Sequence, residues 1–266
     1  MVRSALSSSP QLRSWKNDPP TYRLSPSQAC TRGNWAFMIV SHSRRFIFIK
    51  TRKVAGTSVE AFLSQFCSEE DTITPLGVDE VLRQGMGARN FWISGRGRGS
   101  RLLRMWGEMI GRPALGYRGF YPHIPAREIR RLIGEQLWSD YFKFTIERNP
   151  WDRQVSLYHW HYRNRARKPS FDLFIRSPFH RKISPNFDTY AIGGKVAADY
   201  VCRYETLDDD LASVLKQLGI DQAVNLPRAK GRHRSERAWR DYYTPRTRDI
   251  VGRWYAREIA AFGYSF

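Results

Sequence analysis

The chain has 266 residues with 44 Lys and Arg against 25 Asp and Glu, a formal net charge of +19. That length suits one α/β domain with insertions, and no apolar stretch nears the roughly 20 residues a membrane-spanning helix needs. Three scattered cysteines, Cys30, Cys67 and Cys202, are the wrong set for a disulfide framework and point to a reducing, cytoplasmic compartment. So large a positive excess steers the protein toward anionic partners, whether a nucleotide, an acidic polysaccharide, lipid headgroups or nucleic acid, without choosing among them.

Residues 1–37 are rich in Ser, Pro and Arg, hold Asp18 as their one acid and lack apolar periodicity. They read as a disordered tail, with an organelle transit peptide as the alternative, ahead of a domain spanning 38–266. Phe46-Ile-Phe-Ile49 is strand-prone and runs into a basic turn, Lys50 to Lys53, then Ala55-Gly56-Thr57-Ser58. A helical pattern follows, with Val59, Phe62, Leu63 and Phe66 at spacings of three and four. Strand, small-residue loop and helix N-terminus together form a pocket for phosphate, because unpaired N–H groups and the helix dipole converge there. Gly56 allows close backbone approach, Thr57 and Ser58 bring hydroxyls, and Lys53 brings a mobile charge. The lysine precedes the glycine, so this is not the usual nucleoside-triphosphatase loop. Lys50, at the strand end, is expected to point away, which favours Lys53 as the working cation.

An irregular, basic insertion occupies 83–119 and contains Ser94-Gly-Arg-Gly-Arg-Gly-Ser-Arg101. It reads either as an acceptor-binding lid or as a plain basic loop. His123 follows, just ahead of a helix carrying Ile129, Leu132 and Ile133. Phe142, Phe144 and Ile146 alternate as a strand, and Asn149 and Pro150 mark the start of the next helix. Arg148 closes that strand and Ser156 lies two turns into the helix. His159 and His161 diverge by about 200° around it, which argues against a shared metal ion. A strand near Tyr200 leads to a helix with Leu207, Leu211, Val214, Leu215 and Leu218 on one face and Gly219 as its stop. Asp208-Asp-Asp210 reads as favourable negative charge in that helix's first turn. Thr244 and Pro245 cap a last helix with Ile250, Val251, Trp254 and Ile259 as its apolar face.

Lys53-x-x-Gly56-Thr57-Ser58 resembles the 5′-phosphosulfate loop of sulfotransferases that use 3′-phosphoadenosine 5′-phosphosulfate (PAPS). Arg148-Asn-Pro-Trp-Asp-Arg-x-Val-Ser156-Leu-Tyr is similar to the same family's 3′-phosphate element, at the same Arg-to-Ser spacing. Two motifs in the right order carry the resemblance, which extends over roughly 38–266 and is closest to the carbohydrate-directed, membrane-sulfotransferase-related type. It implies an α/β fold: a P-loop-like domain with a central parallel sheet flanked by helices. It also implies PAPS as co-substrate held by Lys53, Ala55 to Ser58, Arg148 and Ser156, and no metal. Tyr204, in Tyr204-Glu-x-Leu207, matches the family's tyrosine near the adenine, and a buried strand tyrosine fits the position equally. Lys230-Gly231-Arg232 looks like the late loop that closes over the 3′-phosphate, although basic loops are common. Arg52 stands where a proline often precedes the loop lysine. Glu147 stands where an apolar residue is commoner, and it is expected to orient Arg148.

Sulfuryl transfer needs a proton acceptor on the attacking hydroxyl and a cation on the departing phosphate. Lys53 fits the second role. For the first, His123 resembles the catalytic histidine of glycan sulfotransferases, and imidazoles ordinarily titrate near about 6.5; the alternative is a loop histidine that caps the next helix. The expectation is a PAPS-dependent O-sulfotransferase acting on a glycan or glycolipid acceptor, acidic or not, with no obligate nucleic acid and with room for peripheral membrane contact. A kinase-like phosphotransferase lacks the glycine–lysine order and a magnesium carboxylate pair. A basic polyanion-binding module explains the charge but not the two motifs.

Overall fold

The structure is a computed structural model that describes residues 38–83, 85, 87–91, 120, 123–177, 186–227 and 237–266. The tail at 1–37, most of the insertion at 83–119 and the loop residues Lys230, Gly231 and Arg232 lie outside the described residues.

A five-stranded sheet organises the chain. Its strands are β1 (Ile39–Ser41), β2 (Phe46–Ile49), β3 (Thr72–Ile73), β4 (Phe142–Glu147) and β7 (Tyr200–Arg203), in the order β3-β1-β2-β4-β7. β2, β4 and β7 pair in parallel, with Phe48 opposite Phe144 and Phe144 opposite Tyr200. The expectation of a parallel sheet needs one correction: β1 runs antiparallel to both β2 and β3. Only the turn 42–45 joins β1 to β2, far too short for the crossover that parallel pairing demands. A small hairpin, β5 (Ala191–Ile192) and β6 (Lys195–Val196), stands apart and turns through Gly193 and Gly194. Both glycines have positive φ, 59° and 77°, which side chains disfavour.

Alternation along β2 sends Phe46 and Phe48 to one face of the sheet and Ile47 and Ile49 to the other. The first pair packs against α1 (Gly56–Leu63) and α7 (Leu207–Gln217) through Val59, Phe62, Leu211 and Val214. The second packs against α2 (Ala126–Ile133), α3 (Glu135–Asp140) and α6 (Phe187–Tyr190) through Ile129, Trp138 and Phe187. Both faces are therefore covered, as a sheet of parallel strands requires. A third apolar cluster joins α4 (Pro150–His161) and α5 (Phe171–Arg176) to α8 (Pro245–Trp254) around Trp151, Tyr158, Phe174, Val251 and Tyr255.

The caps follow from the residues that stand there. Asn149 accepts from the Trp151 N–H with Pro150 at the first helical position, and Thr244 and Thr247 form a reciprocal capping box. α7 carries Asp208, Asp209 and Asp210 in its first turn, where the helix dipole favours them. The terminal helix breaks at Tyr255 into α8 and α9 (Ala256–Phe262).

Candidate functional site

The described candidate residues gather around the carboxyl ends of β2, β4 and β7, where open α/β sheets usually bind ligands. After β2 the chain turns sharply: Lys53 and Ala55 both take left-handed backbone, at φ 63° and 62°, and α1 begins at Gly56. Ala55 occupies the N-cap position with no side-chain cap, so the first N–H groups of α1 are left to turn bonds, solvent or a ligand. The Ser58 N–H already returns to the Ala55 carbonyl at 2.9 Å.

Lys50 corrects an expectation. Its side chain does not point away but runs beneath the loop, where its Nζ donates to Thr57 Oγ1 at 3.2 Å and to Glu60 Oε2 at 3.0 Å. A Cβ at Gly56 would lie 2.8 Å from Lys50 Cγ, so the close approach that Gly56 permits is to this buried stem. Glu60 is fully buried between Lys50 and Arg83 and also accepts from Thr74. Burial pushes its carboxyl upward, against the pull of both cations. Lys50 and Glu60 thus form the floor of the loop. Lys53 is only half-buried, with its ammonium 5.5 Å from the centroid of Trp160.

Arg148 is the hub. Its Nε and Nη2 both donate to Asp152 Oδ2, at 2.9 and 2.7 Å, and its Nη1 donates to the Lys53 carbonyl at 3.2 Å. The guanidinium lies 3.9 Å from the centroid of Tyr204. Three segments far apart in sequence are joined here. Asp152 was not anticipated, although it sits one helical turn after Arg148, the spacing at which such pairs form. Ser156 follows Asp152 by one more turn on α4, and Trp160 follows Ser156, so the three share one stripe of the helix, whose far end meets the Lys53 ammonium at Trp160. Glu147 meets Arg148 through the backbone and not through the guanidinium. It accepts the Arg148 backbone N–H at 2.9 Å, but its ion pair at 3.0 Å is with buried Arg153, and Tyr190 donates to its other oxygen.

His123 sits in a turn at φ 51°, with Nδ1 3.2 Å from the Lys50 carbonyl. A carbonyl can only accept, so Nδ1 carries the proton and the neutral ring keeps its lone pair on Nε2. The N-cap position of α2 is held by Pro125 and not by His123. His159 bonds the Tyr242 hydroxyl at 3.0 Å, and His161 stacks edgewise on Tyr162. Among the described residues no group of three or more His, Cys, Asp or Glu is arranged around a metal position. Cys67 and Cys202 are buried free thiols, and no described helix is long and apolar enough to cross a membrane.

Comparison with known proteins adds two findings. An uncharacterized protein of Archaeoglobus fulgidus is 31% identical over 106 residues, which is 39% of this chain and 88% of that protein. The family model described as "Sulfotransferase family" matches residues 122–265, which contain Arg148, Asp152, Ser156 and Tyr204 and make up more than half of the chain. On that match, this chain belongs to the sulfotransferase family.

Proposed function

We propose that this protein transfers a sulfuryl group from PAPS to a hydroxyl of a carbohydrate-containing acceptor. Enzymes of this family generally draw on PAPS. The observation that carries the reading is the Arg148 guanidinium, bonded to the Lys53 carbonyl and lying against Tyr204. It sets Lys53, Arg148 and Tyr204 side by side at one end of the sheet. Arg148 and Ser156 hold the 3′-phosphate, and Tyr204 borders the adenine. The 5′-phosphosulfate meets the first turn of α1, from Ala55 to Ser58, and Lys53. This donor set suits a nucleotide with two separate anionic groups: a half-buried lysine, a buried arginine and an uncapped helix start.

In the transfer, the acceptor oxygen attacks sulfur in line as the bond from sulfur to the bridging phosphate oxygen breaks. His123 Nε2 takes the hydroxyl proton, an assignment supported by the Nδ1 bond to the Lys50 carbonyl. Lys53 neutralises the charge that grows on the leaving phosphate. The products are a sulfate ester and adenosine 3′,5′-bisphosphate. The test is calorimetry with that bisphosphate, with ATP and with a generic polyanion, followed by an acceptor screen with labelled PAPS. Tight binding of the bisphosphate and label transfer to a glycan are expected. Preference for ATP, or for the polyanion alone, would overturn the reading.

A further inference from the structure

The Lys53 loop holds an unfavourable backbone, and a residue remote in sequence secures it. Asn186 is fully buried and clamps the backbone of Arg52 at two points. Its Oδ1 accepts the Arg52 N–H at 2.9 Å, and its Nδ2 donates to the Arg52 carbonyl at 3.1 Å. The same Nδ2 lies 3.5 Å from Glu147 Oε1, the carboxylate that accepts the Arg148 N–H. One amide therefore touches the residue before Lys53 and the residue before Arg148.

We propose that Asn186 is a positioning residue that fixes the spacing between the two phosphate-binding elements, by locking the Lys53 loop to the end of β4. A side chain with a Cβ held at φ 63° persists only where the surroundings enforce it. Here the enforcement comes from both sides of Lys53. Asn186 grips Arg52 before it, and Arg148 Nη1 binds the Lys53 carbonyl. The side-chain amide offers a donor and an acceptor side by side and so meets both backbone groups of Arg52; a carboxylate lacks the donor and an alanine lacks both. The partner end of the bridge is equally constrained, since Glu147 is buried and bound by Arg153 and Tyr190. A ligand with two phosphates then meets two sites already set at a fixed distance, and its second phosphate binds as an intramolecular event.

This rests on the PAPS reading above, and the test separates the two. Dissociation constants are measured for adenosine 3′,5′-bisphosphate, adenosine 3′-monophosphate and adenosine 5′-monophosphate on wild type, Asn186→Asp and Asn186→Ala, after the melting temperature of each is checked. Wild type should bind the bisphosphate far more tightly than either monophosphate; if it does not, the donor reading itself fails. In a folded variant, the bisphosphate should weaken by about ten-fold while each monophosphate stays within about two-fold, because the sites survive and only their spacing is lost. Equal weakening of all three ligands, unchanged bisphosphate affinity, or unfolding of both variants would overturn the proposal and assign Asn186 to the general fold.

Discussion

Arg148 is almost wholly buried with its charge on Asp152, yet it sits where a phosphate would draw on its remaining N–H groups. Replacing it with alanine removes a charged hydrogen-bond donor and leaves Asp152 unpaired. Arg148→Ala should therefore weaken adenosine 3′,5′-bisphosphate binding by about 1.5–3 kcal/mol, read by calorimetry. Unchanged affinity would remove the 3′-phosphate from this element. His123 makes the opposite prediction. The Lys50 carbonyl orients its ring, and a general base acts on the acceptor hydroxyl rather than on the nucleotide, so His123→Ala should lower turnover by about 10²–10⁴-fold with bisphosphate affinity nearly intact. A well-folded variant that keeps its turnover would exclude His123 as the base. Glu60 could not then take its place, because it is fully buried and paired with Lys50 and Arg83.

At the scale of elements, two buried carboxylates hold loops in place. Below α1, the Lys50 stem, held by Glu60, fills the space that the missing side chain of Gly56 leaves open. Gly56→Ala should push a methyl into the Lys50 stem and cost about 1–3 kcal/mol of stability, seen as a lower melting temperature. At the other end of β1, Asp71 accepts the N–H groups of His42, Ser43 and Ser68 and the hydroxyls of Ser41 and Ser43. Burial raises its pKa, but these donors, led by the Ser43 and Ser68 N–H groups, outweigh burial and hold it below the ordinary aspartate value. A depressed folded pKa adds stability that is complete above the unfolded value, about 3.9, and disappears as the pH falls through the folded one. Asp71→Asn should lower the melting temperature at neutral pH and flatten its decline below about pH 5; parallel wild-type and variant curves would refute this role.

Across the whole molecule, the sheet brings Lys53, Arg148 and Tyr204 to neighbouring strand ends and covers both of its faces with helices. β1 begins at Ile39, immediately after buried Met38, while the sequence of the preceding segment lacks the apolar periodicity of a core element. A chain starting at Met38 should keep its melting temperature and its bisphosphate affinity, since ordering such a tail would cost entropy with little burial. A fall of many degrees would show that the tail packs on the domain. The sequence by itself determined the local elements. A run of strand-prone residues marked β2, alternation marked β4, a 3.6-residue period marked α1 and α7, and Asn149-Pro150 and Thr244-Pro245 marked helix starts, because these signals lie within a few residues of one another. Motif spacing likewise singled out Lys53, Arg148 and Ser156. Only the tertiary structure decided the reversal of β1, the turning of Lys50 under the loop, the pairing of Arg148 with Asp152 rather than Glu147, and the clamp of Asn186 on Arg52 across 134 positions of chain. Such contacts leave no periodic trace in sequence: a buried polar atom must find a partner, and which partner it finds depends on how the strands are ordered in space.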